Sequence, residues 1–389
     1  MGISASLYIH VPFCAGACDY CDFYSVAVNP ALPGTHRRMD AFVDALLADV
    51  EDQLAAFAVE EVPTLYVGGG TPSLLGAARA GRLLAGLGAL LPRRPAECTV
   101  EANPESADED FLRVCRDGGV NRISLGVQSF HEASRRAVRR VGQGGSLEER
   151  LALVSRYYPF AFSADLIAAL PFQTGAVLRR DIERLLAFDP CHVSLYSLTV
   201  EPGTPLAEGR AVLPAADEAD ALWLAGRDAL ERAGFEQYEV SSFALPGREC
   251  VHNIRYWRME NWLGAGPAAS GTLIDDRGGT GTRRAYPPDL DAYLAASRPA
   301  IQTAARAGEL DRAALIKESL LMGFRYRNGP DRDLFRRRFS RSIEECIPQT
   351  IARWEKWGFF RQVSTGLAPS RRGLLFLDAF LRDAFAELG

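Results

Sequence analysis

Long apolar runs are missing from this sequence. No stretch approaches the roughly 18 uninterrupted apolar residues of a membrane-spanning helix, and the N-terminus lacks the basic-then-apolar plan of a secretory signal. These absences argue against an integral membrane segment and lead us to expect a cytoplasmic protein. A dominant charge is missing as well: 44 basic against 49 acidic residues leave a net charge of −5, which supplies no overall attraction for nucleic acid. Cysteine is scarce. Eight in 389 residues are too few and too scattered for a disulfide scaffold. Five of them, Cys98, Cys115, Cys191, Cys250 and Cys346, stand singly and read as reduced core residues. Internal repeats and low-complexity segments are absent too, and 48% hydrophobic with 24% charged residues is the profile of a globular chain.

The remaining three cysteines are crowded into CAGACDYC, residues 14 to 21. Cys14, Cys18 and Cys21 form C-x3-C-x2-C, a spacing that lets one loop reach three corners of a [4Fe–4S] cube. A closed zinc site needs a fourth ligand, and no second ligand pair is visible. Either a distant residue completes the set, or the fourth position is open for chemistry.

Short β-branched runs alternate with helical patterns six times in the first two hundred residues. Leu7–Val11, Thr64–Val67, Cys98–Glu101, Ile123–Val127, Phe162–Ile167 and Val193–Thr199 read as strands. The clearest helix runs from Met39 to Phe57, with Met39, Phe42, Val43, Leu46, Leu47, Val50 and Leu54 on one face. Alternating β and α units predict a parallel sheet flanked by helices, either open and doubly wound or a partial barrel. Unusual residues recur at strand ends, where a barrel carries its chemistry. These are CAGACDYC, GGGTPS at 68–73, EANPE at 101–105, VQSF at 127–130 and Asp165. GGGTPS lacks the spacing of a phosphate-binding loop and is either a tight turn or a ligand cradle.

Beyond Thr199 the pattern is less regular: EPGTPL (201–206) reads as a turn, 216–233 as a helix and YEVSSF (238–243) as a strand. DDRGGTGTRR (275–284) has the composition of a linker or exposed excursion. Three regions are expected: a core over 1–240, a connecting region over 241–310 and a helix-rich ending over 311–389. In the last, Phe335, Phe339, Ile343 and Ile347 with DRDLFRRRFSR form an amphipathic basic helix, suited either to solvent or to peripheral contact with a membrane or an acidic partner.

LYIHVPFCAGACDYCDF, YVGGGTPS, VEANPE, SLGVQSF, DLIAALP, HVSLYSLTVEPGTPL and HNIRYW together resemble the radical S-adenosylmethionine (SAM) proteins of the oxygen-independent coproporphyrinogen III oxidase-like group. The resemblance covers nearly the whole chain. It implies an α/β fold, a partial (β/α)6 TIM-like barrel with a smaller helix-rich, winged-helix-like C-terminal domain. It further implies a [4Fe–4S] cluster on Cys14, Cys18 and Cys21, and reductive cleavage of SAM to a 5′-deoxyadenosyl radical. Tyr8, Gly69 and Glu101 match positions that contact SAM in the family; Gly70, Thr71, Gln128, Arg140 and Asp165 match those assigned to a second SAM in the oxidase. The oxidase branch places another cysteine two residues after the third, where this chain has Asp22 and Phe23. The sequence therefore looks like the HemW-type heme chaperone branch, whose H-N-x-x-Y-W element appears as His252, Asn253, Tyr256 and Trp257. Heme or porphyrin and recipient hemoproteins are the implied partners, with an oxidase-like or methyltransferase enzyme as the alternative.

Three positions depart from the family. Gly142 and Ser270 stand where it carries histidines, and Ala169 where it carries glycine. Imidazole being the usual heme iron ligand, the loss turns attention to His252, which lies beside Tyr256 and Trp257. It is expected either to bind heme or to serve a packed structural turn.

Overall fold

The computed structural model describes residues 2–29, 31–140, 147–209, 211–296, 306–363 and 366–389. Gly142 lies outside them. Six parallel strands, β1 (Ser6–Val11), β2 (Thr64–Gly69), β3 (Glu97–Ala102), β4 (Arg122–Gln128), β5 (Phe162–Ala168) and β6 (His192–Ser197), pair in chain order. Each falls on a segment expected to be a strand. The barrel stays open, because β1 pairs next with Trp262–Ala265 and β6 with Ser242–Ala244 rather than with each other.

Alternation along each strand separates two environments. Leu7, Ile9, Val11, Leu65, Val67, Ile123 and Leu125 belong to the large apolar core shared with the surrounding helices. The first of these, α1 (Pro33–Ala56), buries Met39, Phe42, Val43, Leu46, Val50 and Leu54, the stripe read from the sequence, and begins with proline in its first turn. The intervening strand residues point into the barrel and are mostly polar, joined across strands by contacts such as Thr64 to Ser6 and the stacked rings of Tyr8 and Tyr66.

A short helix, α2 (Val251–Trp257), closes the floor of this interior. Glu97 at the start of β3 accepts from the amides of Val251 and His252 at 2.9 and 2.8 Å, anchoring the helix by its free N–H groups. Arg122 at the start of β4 donates to the Arg248 carbonyl at 3.1 Å. His192 at the start of β6 bonds Tyr238 at 2.8 Å.

Two readings of the middle region are corrected. DDRGGTGTRR is no linker: Ser270–Asp275 and Thr280–Ala285 pair in unbroken antiparallel register from Ser270↔Ala285 to Asp275↔Thr280. A short turn joins them. The hairpin extends the barrel sheet at its edge, where one face meets solvent and polar side chains cost little, so composition hid it. Of YEVSSF only Ser242 and Phe243 are in a strand, which runs Ser242–Ala244, and the Tyr238 ring turns into the barrel floor instead.

The C-terminal part has its own core, built on Phe324, Phe339, Trp354, Phe359 and Phe380, with Phe359 and Phe380 stacked at 4.4 Å. Helices surround it, and the hairpin Phe360–Val363 with Gly366–Pro369 lies alongside. Phe335, Phe339, Ile343 and Ile347 all point into that core. The amphipathic stripe is therefore already covered and is not free to rest on a membrane. Arg338 beside it is buried and paired with Asp276 at 2.7 Å.

Candidate functional site

The cysteine loop is pinned at both ends by a two-residue parallel ladder, Phe13–Cys14 against Val26–Ala27. Further along, the Asp19 amide donates to the Val138 carbonyl at 3.0 Å, and the Asp19 carbonyl accepts from Leu206 at 2.9 Å in the EPGTPL turn. Asp19 itself is buried and ion-paired with Arg139. The three thiols are consequently presented to one cavity of about 340 Å³ at the C-terminal ends of the strands.

Gly69 and Gly70 make the adjoining wall. Gly69 has a φ of 110°, in the region that favours glycine. A Cβ on Gly70 would stand 2.6 Å from the Phe13 carbonyl oxygen, so this residue lets the turn lie directly on the cysteine loop. Thr71 follows, its hydroxyl 3.5 Å from the Cys14 sulfur and accepting from Asn103 at 3.2 Å.

Two half-buried carboxyls face the same space. Glu101, at the end of β3, accepts from the Tyr66 hydroxyl at 2.7 Å and from the Gly69 amide at 3.2 Å. Burial pushes its carboxyl up to about 7, the Asp165 charge adds to the rise, and the two hydrogen bonds oppose it. Asp165, on β5, is pushed by burial to about 6 against a hydrogen bond from Ser194 and the nearby guanidinium of Arg140. Arg140 lies deeper. It donates to Asn103 at 2.8 Å and to the Gly126 carbonyl, and reaches the Cys18 sulfur at 3.8 Å. Its Nε is buried without a partner among the described residues, which suits an incoming anionic group such as a carboxylate. Gln128 reaches the cavity through a bulge: the β4–β5 register shifts between Gly126 and Gln128, and Gln128 adopts a φ of 68°.

Seven of the expected SAM-contact positions, Gly69, Gly70, Thr71, Glu101, Gln128, Arg140 and Asp165, thus line one cavity with the three cysteines. Tyr8 lies just beneath, bonded to His10 at 3.1 Å and stacked on Tyr66. Asn103, Tyr196, Leu198 and Glu201 also line it and were missed. The end of the sixth strand was the signal that pointed to the last three.

His252 is not at this rim. It sits in the barrel floor, 1% exposed, its Nδ1 at 2.8 Å from Thr64 and its Nε2 at 2.8 Å from the Tyr256 hydroxyl. Burial, helped by Arg255, depresses the imidazole to about 3. With both ring nitrogens engaged it has no lone pair for iron, so the heme-ligand expectation is replaced by the structural one. Ser270 is exposed at the start of its strand, and Ala169 adopts a φ of 68°, the conformation a glycine would favour.

Among the described residues no three His, Cys, Asp or Glu side chains converge on a single-ion position. Thiolates that take separate corners of a [4Fe–4S] cube need not converge. The donor set fits such a cluster: none of the three cysteines is in a disulfide, and all face the cavity that holds the orphan guanidinium nitrogen.

Comparison with known proteins identifies the family and the fold. The profile of the Radical SAM superfamily matches residues 8–185. The heme chaperone HemW of Escherichia coli (strain K12) is 33% identical over 392 residues, 98% of either chain. That of Lactococcus lactis is 34% identical over 89% of this chain and 88% of its own. A mouse protein, radical S-adenosyl methionine domain-containing protein 1, mitochondrial, is 32% identical over 96% of this chain and 82% of its own. The solved structure of the E. coli coproporphyrinogen III oxidase HemN superposes with a TM-score of 0.82 at 21% identity, covering 98% of this chain and 90% of that one. No helix among the described residues is long and apolar enough to cross a membrane. The chain belongs to the radical SAM superfamily, in its HemW/HemN-like group.

Proposed function

We propose that this protein is a heme chaperone that holds a [4Fe–4S] cluster on Cys14, Cys18 and Cys21, binds SAM in the adjoining cavity and carries heme to recipient hemoproteins. The observation that supports the chaperone reading is end-to-end similarity to HemW of E. coli, combined with Asp22 and Phe23 where the oxidase branch has its further cysteine. The cluster, when bound, supplies the electron for reductive cleavage of SAM.

The remaining work falls to side chains. Gly69 allows the backbone to approach the amino acid part of SAM, and Glu101 accepts from ribose hydroxyls or an ammonium. Tyr8 supports Tyr66, which holds Glu101 in place. Gly70, Thr71, Gln128, Arg140 and Asp165 form the wall suited to a second SAM or to the polar edge of another ligand, with Arg140 meeting a carboxylate through its free Nε. Burial keeps Glu101 protonated to near neutrality, so it can donate as well as accept.

Anaerobic reconstitution followed by iron and sulfide quantification and a hemin titration at the Soret band tests this reading. About four irons and four sulfides per chain with saturable heme binding are expected. Absence of saturable binding refutes the chaperone function. A second reading, an oxidase or methyltransferase acting on a porphyrin or other heteroaromatic, draws support from the cavity's extension to Tyr196, Leu198 and Glu201. Substrate-dependent formation of 5′-deoxyadenosine would favour it.

A further inference from the structure

A carried heme needs a ligand to its iron, and the hydrogen bonds of the five histidines limit which imidazole can supply one. Three are closed. His10 bonds Tyr8 through Nδ1 and the Tyr24 carbonyl through Nε2, at 3.1 and 2.9 Å. His192 bonds Ser163 and Tyr238 at 2.7 and 2.8 Å, and His252 bonds Thr64 and Tyr256. All three are buried. Cys98, Cys115, Cys191, Cys250 and Cys346 are buried too, as are Met39 and Met259.

His131 differs in a way the local bonding makes definite. Ser134, fully buried, donates its only hydroxyl proton to the Pro171 carbonyl at 2.6 Å, an oxygen that can only accept. The 2.9 Å contact between His131 Nδ1 and the same hydroxyl must then be donated by the imidazole. The neutral ring therefore carries its proton on Nδ1, and Nε2 presents a bare lone pair. Metal-binding histidines are prepared in this manner, the second nitrogen fixing tautomer and aim. The backbone is fixed as well: the His131 amide donates to the Ser129 hydroxyl at 3.0 Å, and Ser129 donates in turn to buried Asp181. His131 Nε2 has no partner among the described residues, and the residue is half-buried rather than enclosed.

A second observation comes from Phe172. It directly follows Pro171, whose carbonyl bonds Ser134, so its ring and the imidazole are carried on one small hydrogen-bonded cluster. Phe172 is 67% exposed and holds a φ of 62°. A bulky residue in that conformation is strained, and here the side chain stays mostly in solvent. Exposed aromatic surface beside a prepared imidazole suits a flat apolar macrocycle. Both lie on loops at the C-terminal ends of the strands, His131 only three residues beyond Gln128 in the cavity wall. His36 offers no such setting: it is exposed in the first turn of α1, and nothing among the described residues fixes its tautomer.

We propose that His131 Nε2 is the iron ligand for heme on the loops that follow β4 and β5, outside the residues that line the cavity, with Phe172 offering apolar surface to the macrocycle. The inference rests on the chaperone reading, and its test separates the two. The full chain, reconstituted anaerobically, is titrated with hemin beside His131→Ala, His252→Ala and His36→Ala, and the heme is examined by absorbance and electron paramagnetic resonance. The unaltered chain and the His36 and His252 variants are expected to share one histidine-ligated spectrum. His131→Ala should lose it, bind roughly tenfold or more weakly, and regain the spectrum with added free imidazole. Phe172→Ser should keep the ligand signature and lose affinity. Saturable binding with an unchanged spectrum in His131→Ala overturns the ligand assignment alone. No saturable binding by the unaltered chain removes the chaperone function, and the ligand assignment falls with it.

Discussion

Replacing Glu101 by glutamine should change how the stability of this protein depends on pH. In the folded chain, burial raises the Glu101 carboxyl from 4.5 to about 7, so the native state keeps this proton through a window in which the unfolded chain has released it. The unfolded state then binds fewer protons, and stability falls as pH rises from about 4.5 to about 7. Below the window both states are protonated and the group contributes nothing. A displacement of about 2.5 pH units, at ~1.4 kcal/mol for each, amounts to about 3 kcal/mol lost by pH 8. Glutamine does not titrate. It still accepts from the Tyr66 hydroxyl but turns an NH2 toward the Gly69 amide, a constant penalty of about 1 kcal/mol. Asp165, raised from 3.8 to about 6, remains in both proteins and largely cancels in the comparison. Urea unfolding of reduced, SAM-free protein, followed by circular dichroism from pH 4.5 to 8, measures the difference. The Glu101→Gln variant should begin slightly less stable and end more stable by about 2 kcal/mol. Parallel curves across that range would refute the assignment of a half-buried, proton-holding carboxyl at the cavity wall.

Other perturbations act through packing and hydrogen bonds. Gly70→Ala places a methyl 2.6 Å from the Phe13 carbonyl, so the cysteine loop must move; iron and sulfide retained after anaerobic reconstitution should fall at least severalfold while far-ultraviolet circular dichroism is preserved. Thr64→Val removes the partner of His252 Nδ1 in the barrel floor and should cost about 1–3 kcal/mol in urea unfolding, with the heme spectrum unchanged. Asp49→Ala strands two buried donors, the hydroxyls of Tyr286 and Tyr293 that bond its carboxylate at 2.6 and 2.8 Å, and removes one of the acceptors of Gln53 at 3.0 Å. A loss of about 3–5 kcal/mol is expected, measured by the same unfolding transition.

Much of this architecture is legible in the amino-acid sequence, because it rests on local rules. The strand–helix alternation requires only period and length, and the buried stripe of Pro33–Ala56 requires only 3.6-residue spacing. C-x3-C-x2-C is a chemical pattern carried by one loop, and family likeness placed the glycines and carboxylates beside it. The edge hairpin over 270–285 is not legible in this way, because half-exposed strands need no apolar alternation. The covered face of Arg332–Phe339 is hidden for the opposite reason: an amphipathic stripe is the same whether it meets a membrane or a neighbouring helix.

The sequence by itself determined the cluster motif, the parallel core and the rim on which the polar residues gather, since periodicity and spacing act along the chain. Only the tertiary structure decided which histidine is available. His252 lies beside two aromatic residues in sequence, yet Thr64, 188 positions away, and Tyr256 occupy both its nitrogens. His131 reads as an ordinary helix start, yet Ser134 and Pro171 leave its Nε2 bare. A lone pair is free or taken according to partners brought from distant strands, and hydrogen-bond saturation across the fold leaves no trace in the local sequence.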